Sequence, residues 1–227
     1  MFQSCRSVVT SGAQTTGIIR HRPEGTCVPQ ISAAEFHALP LRVHSFLAGV
    51  PLHDVWAVDL PRPRERVTLA EFNPLESRQR PTERLSAPAR ALFRLRFFLG
   101  RIFGLEAEPT AAGAMSFATR LTPEDRARSA VAAGTPAGPF RVVYRFENES
   151  LLELHNRTAH AAAVSALARV TDGYRFYLAV YVAKAGWITP IYMALIDPFR
   201  RWLVYPALLK NIRARWLEFV ASGKDAR

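Results

Sequence analysis

Two histidines and a glutamate lie within a stretch of eight residues, and their types suit proton transfer. His155 and His160 bracket Asn156-Arg157-Thr158, and Glu153 precedes His155 by two positions, the spacing that puts both on one face of a strand. Imidazoles beside a carboxylate can act as acid and base near neutral pH if they line a cavity. The plainer alternative is a set of solvated polar residues at a hairpin. His53 with Asp54 and Asp59 poses the same choice at the start of another strand. No metal site is expected, because the six histidines are scattered and no HxH, HExxH or CxxC spacing occurs. GxSxG, GxGxxG and the phosphate-loop pattern are absent as well, so no cofactor is expected.

A second kind of chemistry is the binding of an apolar ligand that carries one polar group. Tyr144, Tyr177, Tyr181 and Trp187 could rim a cavity and offer it hydroxyl and indole donors. Trp202 and Leu209, on the last helix, would close it from the other side. Ala161, Ala162, Ala163, Ala166 and Ala168 fill little space, which would leave room for the ligand. The competing explanation is that small residues let a helix pack closely.

These side chains need elements to hold them. Ser32 can cap a helix carrying Phe36, Leu39, Val43, Phe46 and Leu47, with Pro40 imposing a kink or two short pieces. The run HDVWAVDLP alternates as a strand, with His53, Val55, Ala57 and Asp59 on one side and Asp54, Trp56, Val58 and Leu60 on the other. Thr68 opens a short helical stretch, and Ser86 caps a stronger helix that ends near Gly104. Thr122-Pro123-Glu124-Asp125 begins another helix, predicted to stop at Gly134. From Pro139 the period changes to two. Strands from Phe140, from Leu151 to His155, from His160 to Val170 and from Tyr174 to Ala183 then form an antiparallel meander. Trp202, Tyr205, Leu209, Ile212, Trp216 and Phe219 make one apolar seam on a final helix, where Pro206 predicts a kink or a late start. The class is α+β, with the sheet expected to bury that seam.

Composition limits the partners. Lys and Arg number 30 and Asp and Glu 19, for a net charge of +11, while 49% of residues are hydrophobic, which excludes a wholly disordered chain. The cations are dispersed and not interleaved with aromatics, so nucleic acid is not an expected partner. Arg200, Arg201, Lys210, Arg213 and Arg215 beside Trp187, Trp202 and Trp216 could instead contact an anionic membrane surface. Cys5 and Cys27 are too few for a disulfide framework. The start lacks the apolar run of a secretory signal, so residues 1–30 are expected to be a disordered extension, 31–221 one domain and 222–227 a tail, in a cytoplasmic protein.

Three stretches carry a family resemblance. HDVWAVDLPR, GPFRVVYRFENESLLELHN and IYMALIDPFRRWLVYPALL are similar to the DUF2867 family, with the run from Tyr192 to Phe199 the most specific. The likeness extends over roughly residues 50 to 215. The order of elements resembles the START-like, Bet v 1-like (SRPBCC) superfamily. That resemblance implies a helix-grip fold, an antiparallel sheet curved around the long C-terminal helix. It also implies a small apolar or amphipathic ligand between the two, and polyketide-cyclase-like chemistry as the enzymatic alternative. The DUF2867 pattern often has a histidine after Pro-Phe, where this chain has Arg200.

Overall fold

The Ser32 hydroxyl accepts the Glu35 amide at 3.1 Å and so starts helix α1 (Ala33–His37). Pro40 lacks an amide and interrupts the pattern, so α2 (Arg42–Phe46) is a separate turn of helix. These elements belong to a computed structural model that describes residues 30–61, 67–72, 115–155, 160–183, 194, 197–198 and 200–222. The expected extension at residues 1–29, the helix expected after Ser86 and Trp187 lie outside the described residues.

Six strands follow the period-two pattern: β1 (Leu52–Pro61), β2 (Pro136–Ala137), β3 (Phe140–Arg145), β4 (Glu149–His155), β5 (His160–Val170) and β6 (Gly173–Ala183). They form one antiparallel sheet in the order β1-β6-β5-β4-β3-β2. The meander from β3 to β6 is therefore as the sequence predicts, and β1 closes onto β6. Gly173 begins β6 because a Cβ there would collide with the Leu60 carbonyl.

Other segments depart from expectation. Residues 67–72 make a single turn, with Thr68 and Glu71 exchanging side-chain-to-amide bonds at 3.3 Å, and do not form a helix. Helix α3 (Pro123–Arg128) has the predicted Thr122 cap but stops well before Gly134, because the Ala130 and Gly134 amides bond the carbonyls of Arg145 and Val142 on β3. A 3-10 turn spans Phe117–Arg120. The terminal helix starts late, as Pro206 predicts: a π-helical turn at Arg200–Val204 leads into α4 (Tyr205–Ser222). No helix among the described residues is long and apolar enough to cross a membrane.

Both faces of the sheet are covered. α4 lays Tyr205, Leu209, Ile212 and Trp216 against Trp56, Val58, Leu60, Phe176 and Leu178. The opposite face packs Val55, Ala57, Tyr144, Leu151, Ala162, Val164, Tyr177 and Tyr181 against Phe36, Val43, Phe46 and Phe117. The architecture is thus an α+β sheet with a long helix on one side and short helices on the other.

Candidate functional site

Strand pairing decides what meets at the end of the β4–β5 hairpin. His155 stands directly opposite His160, and Glu153 opposite Ala162, so all three functional side chains share the face that α1 and α2 cover. Glu153 Oε1 accepts His160 Nε2 at 2.6 Å and the Phe117 amide at 2.8 Å, while Oε2 accepts the Ser116 hydroxyl at 2.5 Å. The His160 ring stacks on Phe117 at 3.9 Å and on His155 at 4.3 Å. Two rings so close and so nearly parallel to it must occupy its opposite faces, which fixes the imidazole plane.

His160 is 2% exposed and Glu153 5%, so solvation at a hairpin does not describe them. His155, at the rim, is half-buried. Burial alone would raise the Glu153 carboxyl, but hydrogen bonds from His160, Ser116 and the Phe117 amide outweigh it and hold the group below its ordinary value. Burial, then the neighbouring His160, pushes the His155 imidazole down. One carboxylate and two imidazoles are thus assembled, with His155 biased toward its neutral form.

His160 and Phe117 also form part of the wall of a hollow of about 660 Å³ at this end of the sheet. Val50, Pro51, Met115 and Ala183 make it apolar, and Arg120 brings a guanidinium. Arg120 reaches the Phe46 carbonyl at 3.4 Å and lies 5.4 Å from the centre of the Phe117 ring.

A second polar cluster joins the first and last of the family-like stretches. A register shift between Leu52 and Asp54 takes His53 out of the alternation, so that His53 and Asp54 serve one cluster instead of opposite faces. His53 Nε2 lies 2.9 Å from both Asp197 oxygens. Arg200 donates to Asp197 at 3.2 Å, approaches Asp54 at 3.6 Å and bonds the Tyr205 hydroxyl, which is 3.4 Å from Asp54. Burial raises the Asp54 carboxyl, with Arg200 and then His53 opposing, and burial also pushes the Tyr205 hydroxyl up. This cluster fastens the start of α4 to β1. Asp59, by contrast, belongs to a surface pair with Arg175 at 2.6 Å.

The residues expected to line one ligand cavity are dispersed. Tyr144, Tyr177 and Tyr181 are buried on the α1–α2 face, Leu209 is fully buried on the α4 face, and Trp202 is 81% exposed. Strand parity divides the alanines too, placing Ala162 and Ala166 under α1 and α2 while Ala161 and Ala163 point the other way. The tyrosines therefore do not face the terminal helix. Beneath α2 the Tyr144 and Tyr181 hydroxyls and both Glu149 oxygens are buried without a well-formed hydrogen bond, the Tyr144 hydroxyl and the Arg42 and Val43 amides being the donors near Glu149. Burial raises the Glu149 carboxyl.

Ser116, Phe117, Arg120, Asp197 and Glu149 were not legible as site residues, and Arg200 was read only as a surface cation and as the residue that replaces the family's histidine. For Glu149 a signal existed: Glu149, Leu151, Glu153 and His155 recur at every second position. Ser116 and Phe117 offer none, since a hydroxyl and an amide borrowed by a strand 36 residues away leave no local spacing.

The three family-like stretches hold the second polar cluster, where β1 and the segment before α4 meet at Arg200, and Glu153 and His155 of the first, whereas His160, Ser116 and Phe117 lie outside them. Neither a curated protein nor a solved structure matches the chain. A family model does match, over residues 46–207, which is more than half of the sequence. The chain belongs to the family described as a protein of unknown function, DUF2867.

Proposed function

We propose that the protein binds a small amphipathic molecule, with an apolar body and an anionic group, in the hollow beside His160. The observation that carries this is the pairing of apolar walls with Arg120 and His160 in one space of about 660 Å³, a size that suits a small ligand. This hollow lies apart from the interface between sheet and terminal helix, where Trp56, Phe176, Leu209 and Trp216 are all buried. The order of strands and the long last helix support a helix-grip relative of the START-like proteins as the finer description of the fold.

A thermal-shift panel of fatty acids, polyketides and isoprenoids, each acid set beside its neutral alcohol or amide, tests the proposal. A ligand at about a hundred times its Kd adds about 2.7 kcal/mol to stability, enough to raise the midpoint by several degrees. Acids are expected to shift the midpoint more than their neutral analogues, and Arg120→Ala to abolish the difference. A panel without any shift, or equal shifts that Arg120→Ala leaves unchanged, would overturn it.

A second reading is an acid–base enzyme, favoured by the 2.6 Å contact between Glu153 and His160. A buried carboxylate that orients an imidazole selects its tautomer, and this imidazole belongs to the wall of the hollow. A third is a lipid-binding protein that docks on anionic membrane, favoured by the 81% exposure of Trp202 next to Arg201.

A further inference from the structure

Glu153, His155 and His160 each place a potential ligand atom within 4.8 Å of the other two, and so do His53, Asp54 and Asp197. The two groups differ in what already neutralises them. Arg200 stands 3.2 Å from Asp197 and 3.6 Å from Asp54, so a guanidinium occupies the place a cation would take in the second group. Glu153 instead takes its hydrogen bonds from a hydroxyl, an amide and an imidazole.

We infer that Glu153, His155 and His160 form a binding site for a divalent transition-metal ion, zinc or a first-row ion of similar preference. Two imidazoles and one carboxylate match the open three-ligand sets that zinc and iron(II) accept, whereas calcium and magnesium prefer oxygen alone. Two of the ligands are held in place, and the third, His155, must turn out of its 25° stack on His160 so that both ring planes contain the ion, a movement its rim position allows. Ser116 and the Phe117 amide hold the carboxylate in place, and the stacked Phe117 ring holds His160, the kind of outer support that metal ligands need. Metal–ligand bonds of about 2.0–2.2 Å put neighbouring ligand atoms roughly 3 Å apart. The 2.6 Å between Glu153 and His160 is shorter than that spacing, so the pair must open by roughly half an ångström as the ion replaces the shared proton. The metal's remaining positions would be filled by water or by a ligand in the adjoining hollow, and this last clause alone rests on the proposed ligand site. With the ion bound, His160 is a ligand and cannot move protons, so the proposal also competes with the acid–base alternative.

The test uses the whole chain, freed of any histidine tag and treated with a chelator, and metal salts alone. Zinc is titrated in competition with a chromophoric chelator, cobalt(II) by its visible absorption, and calcium and magnesium serve as controls. One zinc or cobalt ion per chain is expected, with no competition from calcium or magnesium. His155→Ala and Glu153→Gln should abolish saturable binding, and Ser116→Ala should weaken it by about tenfold. His155 is at the rim, so its variant should keep the wild-type circular dichroism, which separates loss of a ligand from loss of fold. His53→Ala and His44→Ala should bind as the parent does. Absence of saturable binding by the folded parent would overturn the inference, as would binding that survives His155→Ala and Glu153→Gln or is lost in His53→Ala or His44→Ala. A silent ligand panel leaves this result untouched, because no organic ligand enters the titration.

Discussion

On the face that α4 covers, Trp216 is fully buried and its indole donates to the Pro61 carbonyl at 2.7 Å, while the Tyr174 hydroxyl accepts the Val67 amide at 3.1 Å. On the face that α1 and α2 cover, Glu149, Glu153 and His160 are just as deeply buried, and polar atoms of Glu149, Tyr144 and Tyr181 lack a well-formed hydrogen bond. The α4 face is not wholly apolar, since Asp54 and the unpaired Trp56 indole nitrogen lie along it, but its aromatic centre behaves as a core. Buried polar groups cost stability unless they are satisfied, so a face that keeps several of them has been arranged for more than packing. The contrast marks the α4 face as mainly packing, and the α1–α2 face as the one on which the proposed ligand site would depend.

The strongest way to break that contrast is at Trp216. Phe72 and Tyr174 meet it edge-on, at 5.1 and 5.5 Å, and a large side chain removed from such a place leaves a void. Trp216→Ala should cost about 3–5 kcal/mol in urea denaturation, whereas His155→Ala should cost less than about 1 kcal/mol. Equal losses would mean that both faces serve stability alike.

A finer test sets two glutamates of β4 against each other. The carboxyl of Glu153 sits below the ordinary value of 4.5 because its hydrogen bonds overcome burial. Its folded value being depressed, the stability it contributes is present above that ordinary value and is lost as pH falls through the folded value. Burial lifts Glu149 above 4.5, so its contribution is present below that value and is lost as pH rises through the folded one. At neutral pH, Glu153→Gln should therefore destabilise by about 1–2 kcal/mol, and Glu149→Gln should stabilise by about 1 kcal/mol. Urea midpoints between about pH 4 and about pH 7 should diverge in opposite directions for the two variants. Curves that move together would show that Glu149 is satisfied in solution and that the two positions differ less than their contacts suggest.

The strands of this sheet were legible because a period of two is a strong local signal, and the same parity put Glu153 and His155 on one face before any fold was known. The broken first helix and the late start of the last one followed from Pro40 and Pro206, whose missing amides act locally. Parity sorts residues into two faces but does not say which helix covers which. Tyr144, Tyr177 and Tyr181, expected to rim a cavity, lie on the face covered by α1 and α2, and nothing local to them indicates which helix that is. The register shift at His53 and the contacts of Ser116 and Phe117 with Glu153 arise from long-range pairing, to which neighbouring residues give no clue. The convergence of Glu153, His155 and His160 has the same origin: ligands in one tight motif show a local spacing, whereas two that a hairpin brings face to face do not.

The smallest expected effect belongs to the outer surface of the last segment, which neither core explains. Trp216 is fully buried while Trp202, one of the aromatics on the predicted seam, is 81% exposed just before α4. The π-helical turn over Arg200–Val204 accompanies this separation, since its wider winding carries Trp202 out of the stripe that Tyr205 begins. An exposed indole with Arg201 beside it and the exposed Lys210 on the following helix matches the pairing of headgroup-level aromatic and cation that peripheral membrane contact requires. Each cation near an anionic surface contributes on the order of 1 kcal/mol and is screened by salt, so binding should be weak. In co-sedimentation, phosphatidylserine-containing vesicles should pellet the protein at low salt, phosphatidylcholine vesicles should not, and moderate salt should reduce the pelleted fraction. Trp202→Ala should remove most of the lipid-dependent pelleting without changing the urea midpoint by more than about 0.5 kcal/mol, because the side chain is outside both cores. If Trp202→Ala pellets as the parent does, the surface is basic for solubility alone, and the division of labour between the two sheet faces needs no third, membrane-facing region.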